Sequence, residues 1–206
     1  VLELIRDHVA SGIAEFAFYD DALLENAREV VIPVLEGIVE EYGERRLHLH
    51  LPNAVHVRKL TSELAILLWK AGAREIRVGA ESLEPDFHTR HDGKFRPSEL
   101  DEAIRVLRDA GFADDRLVAY VLAGLPRQEA AAVEESVRGM LQRGIRVSVS
   151  EYSPVPGSAL FREACARSRY PLETEPLCHN NSVVPMAWDG FSVDDMWRIK
   201  ELARQA

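Results

Sequence analysis

The chain has 206 residues, with 25 Lys and Arg against 34 Asp and Glu and a net charge of −9. So acidic a chain makes a poor general binder of phosphate backbones, and nucleic acid is not an expected partner. Hydrophobic residues at 47% and charged residues at 29% give a globular composition and exclude disorder. No apolar run approaches the about 20 residues that a membrane helix needs, so no membrane partner is expected. Two cysteines, Cys165 and Cys178, cannot build a disulfide framework and fit a reducing cytoplasm.

The chain opens Val1-Leu2-Glu3-Leu4-Ile5 with no Met and no signal peptide. Leu2, Ile5 and Val9 recur at helical spacing, so the expectation is a start inside a helix, as part of a longer protein. Strand-like runs follow at Glu15–Asp20, Arg46–Leu51, Glu75–Ala80, Arg116–Ala123 and Arg146–Tyr152. Amphipathic helical stretches lie between them, at 24–42, 61–71, 98–110 and 129–143. A glycine precedes each strand (Gly12, Gly43, Gly72, Gly111 and Gly144), where a helix end can close in the left-handed conformation. Ser98 and Asp101 read as a helix start of capping-box type.

Strand starts step by 31, 29, 41 and 30 residues, the period of a βα unit, which predicts a parallel sheet with helices outside it. A doubly wound sheet would carry a Gly-rich phosphate loop, and none is present. The predicted fold is therefore α/β, a partial parallel βα barrel of TIM-barrel type. Five strands are visible, the first strand is missing, and a helical extension follows at the C-terminus. The domain expectation is a partial barrel over 1–165 and an extension over 166–206. Ser158–Arg167 is expected as a sixth helix, 168–191 as loop and Ser192–Arg204 as a last helix. The long step comes from an insertion at Ser82–Pro97.

In a parallel barrel the C-terminal strand ends collect the chemistry. Here that edge would gather Tyr19-Asp20-Asp21, Pro52-Asn53, Glu81-Ser82, Gly124-Leu125-Pro126 and Tyr152-Ser153-Pro154. Asp20, Asp21, Glu81 and Glu151 make the rim acidic and suit a cationic ligand. Gly124-Leu125-Pro126 and Ser153–Gly157 offer backbone with little side-chain bulk, which suits a flat ring; glycine and proline also simply end strands. His48 and His50 sit at i, i+2 and share one strand face. That spacing occurs in barrel hydrolases that bind a divalent metal, but two lumen-facing polar residues, or partly satisfied core histidines, are the favoured account of it. His88 and His91 lie in the insertion, and Cys165 and Cys178 match no common metal spacing.

Taken together, Ala17-Phe18-Tyr19-Asp20-Asp21, Leu51-Pro52-Asn53-Ala54-Val55-His56-Val57, Ile76–Ser82, Tyr120–Pro126 and Tyr152–Ser158 resemble, in order and spacing, the core of radical S-adenosylmethionine (radical SAM) enzymes. The subgroup that the chain most resembles carries Asp-Asp after the second strand and is often cobalamin-linked. The resemblance implies a six-stranded partial barrel whose parent cleaves S-adenosylmethionine reductively to a 5′-deoxyadenosyl radical beside a 4Fe–4S cluster. It implies a small-molecule substrate, an electron donor and, in some relatives, cobalamin. By that analogy Asp20 and Asp21 hold the methionyl ammonium, Asp20 being the first residue past the apolar run. Glu81 and Ser82 lie near ribose and methionyl groups, and Gly124, Leu125, Pro126, Tyr152, Ser153 and Pro154 flank adenine.

The sequence departs from this family in three places. The three-cysteine cluster motif is absent and is expected upstream, so this chain alone is expected to be inactive and metal-free. The fifth-strand pattern Gly-x-Ile-x-Gly-x-x-Glu is met only in part: Tyr120, Leu122, Gly124 and Arg127 fall at its four places. Tyr-Asp-Asp also replaces Gly-Gly-Glu. The alternatives are a metal-dependent barrel hydrolase using His48 and His50, or a non-catalytic degenerate barrel. Phe16 and Phe18 on an unpaired edge strand further predict self-association.

Overall fold

The structure, a computed structural model, describes residues 1–84, 87 and 96–205. His88, His91 and most of the Ser82–Pro97 insertion lie outside the described residues. Helices and strands alternate: α1 (Leu2–Ala10), β1 (Glu15–Ala17), α2 (Ile32–Tyr42), β2 (His48–His50), α3 (Ser62–Ala71), β3 (Ile76–Glu81), α4 (Pro97–Ala110), β4 (Leu117–Ala123), α5 (Ala130–Gln142), β5 (Arg146–Glu151), α6 (Ala159–Arg167) and α7 (Val193–Ala203). All five expected strands form, with β1 and β2 shorter than the sequence suggests. β2 stops just before Pro52, which has no N–H for a ladder.

β1 and β2 pair in parallel, with Glu15 opposite His48, Phe16 opposite Leu49 and Ala17 opposite His50. A second parallel sheet has the order β3-β4-β5. Among the described residues no barrel closes. The chain divides into two compact units: Val1–Ala80 with the described residues up to Ala119, and Glu81–Glu84 with Tyr120 onward.

In the first unit, Leu49 is fully buried and shares a cavity with Leu35 of α2 and Leu68 of α3, so that face of β2 looks onto the helices. Side chains alternate along a strand, and His48 and His50 therefore face away from them. Between β2 and β3 the ladder thins to two parallel bridges, Leu49–Ala73 and Val55–Val78. Gly72 closes α3 at φ +99°, and a Cβ there would lie 2.0 Å from the Leu47 carbonyl oxygen. Only glycine allows both that conformation and that approach. The helix expected over 24–42 is α-helical only from Ile32, because a π-helical turn covers Ala27–Val31. Pro33 explains the change, since it cannot donate to the carbonyl four residues back. α4 begins one residue earlier than Ser98 suggested: Arg96 is the N-cap, Pro97 follows, and the Glu99 carboxylate accepts from the Arg96 N–H at 2.6 Å.

In the second unit, α5 and α7 pack on each other and on β5, around Met140, Ile145, Leu172, Phe191 and Ile199. Residues 168–191 are turns with one short 3-10 helix, Pro176–His179. They are tied down by long-range bonds: the Ala130 N–H donates to the Gly190 carbonyl at 3.1 Å, and the Asn181 amide to the Glu151 carbonyl at 2.7 Å. Ser192 caps α7 reciprocally. Its hydroxyl accepts from the Asp195 N–H at 3.1 Å, and the Asp195 carboxylate accepts from the Ser192 N–H at 2.8 Å.

Candidate functional site

In the first unit the chain leaves β1 through Phe18, Tyr19, Asp20 and Asp21 and leaves β2 through Pro52 and Asn53. The Phe18 N–H still donates to the His50 carbonyl at 3.0 Å, after which the backbone turns away. Asn53 fixes that turn: its side-chain amide donates to the Tyr19 carbonyl at 2.9 Å and to an Asp21 carboxylate oxygen at 3.0 Å. The two aspartates thereby separate. Asp21 is pinned beside Asn53. Asp20 lines an apolar cavity of about 180 Å³ with Phe18, Leu49, Leu51 and the π-helical turn. Asp20 stands out in the sequence as the first residue past the apolar run, and the strand itself ends earlier, at Ala17.

In the second unit, Glu81 ends β3 with φ 56°, a left-handed backbone that a non-glycine residue rarely takes. Such strain, of order 1–3 kcal/mol, gathers at ligand clamps and active sites. Ser82 beside it is buried, 4% exposed. The Ser136 hydroxyl of α5 donates to the Ala132 carbonyl at 2.9 Å and accepts from the Leu83 N–H at 3.0 Å. With its one proton so placed, Ser136 accepts from the Ser82 hydroxyl at 3.4 Å, and Ser82 accepts from the Glu84 N–H at 3.0 Å. Ser82 thus shapes the turn after Glu81 from beneath.

Gly124, Leu125 and Pro126 are buried rather than bare. The Gln128 side-chain oxygen accepts from the Gly124 and Leu125 N–H groups at 2.8 and 3.1 Å, and its amide donates to the Leu122 carbonyl at 3.0 Å. The Trp188 indole donates to the Gly124 carbonyl at 2.9 Å. Tyr152 is buried, and its hydroxyl has no hydrogen-bond partner among the described residues. Burial, with Cys165 and Glu163 nearby, pushes that phenol up. Ser153 is half-buried and Pro154 buried. Glu151 is ion-paired with Lys200 of α7, so it is not a free rim carboxylate. Gln128 and Trp188 escaped the sequence reading. Gln128 offered only a proximity signal, and Trp188 lies 64 residues from Gly124.

His48 and His50 share a face, as their spacing predicts, and Glu15 of β1 joins them. The Arg74 guanidinium donates to His48 Nε2 at 2.9 Å, so that nitrogen carries the lone pair and Nδ1–H donates to the Glu15 carboxylate. His50 Nε2–H donates to the other carboxylate oxygen at 2.5 Å. These bonds, from His50 first and then His48, hold the Glu15 carboxyl down at about 2. Both His48 ring nitrogens and His50 Nε2 already serve hydrogen bonds. Among the described residues no group of three His, Cys, Asp or Glu is placed to hold a metal ion. Cys178 is buried and Cys165 half-buried, with its thiol pushed up mainly by burial, so the chain's residues do not fit an iron–sulfur cluster.

Neither a family model nor a curated protein matches the sequence. Solved structures do match its fold, radical SAM enzymes among them. Coproporphyrinogen III oxidase (HemN) from Escherichia coli aligns with a TM-score of 0.66 at 12% identity, over 93% of this chain and 40% of its own. The methyltransferase TsrM from Kitasatospora setae, with cobalamin and a 4Fe–4S cluster bound, aligns at 0.65 and 18% identity, over 81% of this chain and 31% of its own. The cobalamin-dependent enzyme OxsB, with aqua-cobalamin bound, aligns at 0.56 and 12% identity, over 100% of this chain and 31% of its own. The chain thus spans less than half the length of each of these three proteins. Among the described residues no helix is long and apolar enough to cross a membrane.

Proposed function

We propose that the chain is the S-adenosylmethionine-binding part of the catalytic domain of a radical SAM enzyme, a partial βα barrel whose parent generates a 5′-deoxyadenosyl radical. The observation that carries this reading is the fold-level likeness to HemN, TsrM and OxsB, reached independently of the motif order read from the sequence. The acidic strand ends fit the cationic end of S-adenosylmethionine, an ammonium beside a sulfonium. The cluster is not held by residues of this chain. A cobalamin and an electron donor belong to the parent in the same reading.

On the first unit the ammonium is assigned to Asp21. Asn53 holds that carboxylate in place before any ligand arrives, and preorganisation of this kind lowers the cost of binding. Within the second unit, Glu81 with Ser82 beneath it serves the ribose and methionyl groups. Tyr152, Ser153 and Pro154 serve adenine, with Gly124, Leu125 and Pro126 supporting them from below. The test is calorimetric titration of the chain with S-adenosylmethionine. A charge-assisted hydrogen bond contributes about 1.5–3 kcal/mol, so Asp21→Asn is expected to weaken binding by roughly 10- to 150-fold. Asp20→Asn is expected to weaken it less. Equal affinity in wild type and Asp21→Asn would overturn the assignment, and no binding at all would overturn the reading.

A further inference from the structure

The second unit carries a groove of about 1040 Å³ walled by Arg127, Arg162, Arg167 and Arg169, with Glu163 and Asp189 as its acids. Four guanidiniums against two carboxylates make a positive concavity on a chain whose net charge is −9. Glu163 is shared by Arg127 and by Arg167, the latter at 3.4 Å. Arg162 has no hydrogen-bond or ion-pair partner among the described residues. Among the described residues Arg169 donates only to the neutral Tyr170 hydroxyl, at 2.8 Å, and lies 4.9 Å from that ring's centre. Two guanidiniums are therefore left with no carboxylate at the groove.

Two further features mark this place. Arg127 holds φ 65°, one of three non-glycine residues in the left-handed region among the described residues, and such strain gathers where a ligand is clamped. The buried Tyr152 hydroxyl, orphaned, has Glu163 as an electrostatic neighbour. Surface arginines are usually just solvated. Here they line a concavity large enough for an organic molecule, since ligand pockets run to about 300–1,000 Å³.

We propose that this groove binds a small organic oxyanion, a phosphate- or carboxylate-bearing molecule, with Arg162 and Arg169 as its anchors. The guanidinium fork matches both anions with paired N–H donors. No S-adenosylmethionine or cluster is involved, so the proposal stands or falls apart from the functional reading above. It is tested by titrating the chain with pyrophosphate and, separately, with citrate, by calorimetry and by tryptophan fluorescence, because Trp188 lies on the groove. Saturable binding below about 1 mM, weakened by added salt, is expected for at least one probe. Pyrophosphate alone would name the phosphate class, and citrate alone the carboxylate class. Arg162→Ala with Arg169→Ala should weaken binding at least roughly 10-fold with an unchanged melting temperature. Arg105→Ala, paired with Glu102 and Asp109 in the first unit, should leave it intact. Binding of neither probe, or binding unchanged in the double variant, overturns the proposal.

Discussion

Glu15 is one carboxylate serving two imidazoles, and its titration gives the cluster a signed pH dependence. Its folded value of about 2 lies below the ordinary 4.5, so its contribution to stability is present above about 4.5 and is lost as pH falls towards 2. The group is exposed, which keeps the effect small. Melting curves should place Glu15→Gln slightly below wild type at neutral pH, with the gap closing as pH drops from 4.5 towards 2. A gap that widens in that window would contradict the assigned bonds. Gly72 gives a larger effect from backbone alone. Gly72→Ala forces a Cβ against the Leu47 carbonyl at φ +99° and should lower unfolding free energy by roughly 1–3 kcal/mol, measured by urea denaturation.

Elements were legible where the signal was local. Glycine at a helix end, a last helix beginning at Ser192 and the βα period each depend on neighbours in sequence, and each appears where the pattern placed it. What was not legible depends on distant partners. The residues that cover Gly124, namely Trp188, Phe191 and Met196, carry no local mark, so a glycine-proline segment that reads as open backbone is buried. Parity along the strand does not separate Asp20 from Asp21, since both faces of a barrel strand are covered and β1 ends at Ala17, before either residue. The Ser192 cap offers a clean element-level test. Ser192→Ala should destabilise α7 by about 0.5–2 kcal/mol, seen in thermal melts, and should shift Trp188 fluorescence if α7 holds that segment on Gly124. β1 pairs with β2 along one edge, and we expect its other edge to support self-association. Sedimentation should show dimers or larger species that fall in Phe16→Lys; a monomer at all concentrations would refute this.

For the molecule as a whole, the fold likeness and the residue inventory point to different parts of one chemistry. The fold matches enzymes described with a 4Fe–4S cluster, while this chain offers Cys165 and Cys178 alone. Anaerobic reconstitution followed by gel filtration should therefore leave the chain without stoichiometric iron and sulfide. Retention of about four irons per chain, the content of a cubane cluster, would mean that ligands other than a three-thiolate loop hold it.

The Gln128 side chain behaves as a displaced peptide group: its oxygen receives two backbone protons and its nitrogen returns one to Leu122. The turn after β4 is thus pinned by a side chain with the directionality of a ladder. Deuterium should enter the Gly124 and Leu125 amides at the slow pace of sheet protons rather than the fast pace of loop protons, because both must wait for one amide to swing away. Gln128→Glu keeps the acceptor and removes the donor, whereas Gln128→Met removes both. The first should leave those two protons slow while loosening Leu122, and the second should release the whole turn to solvent at once.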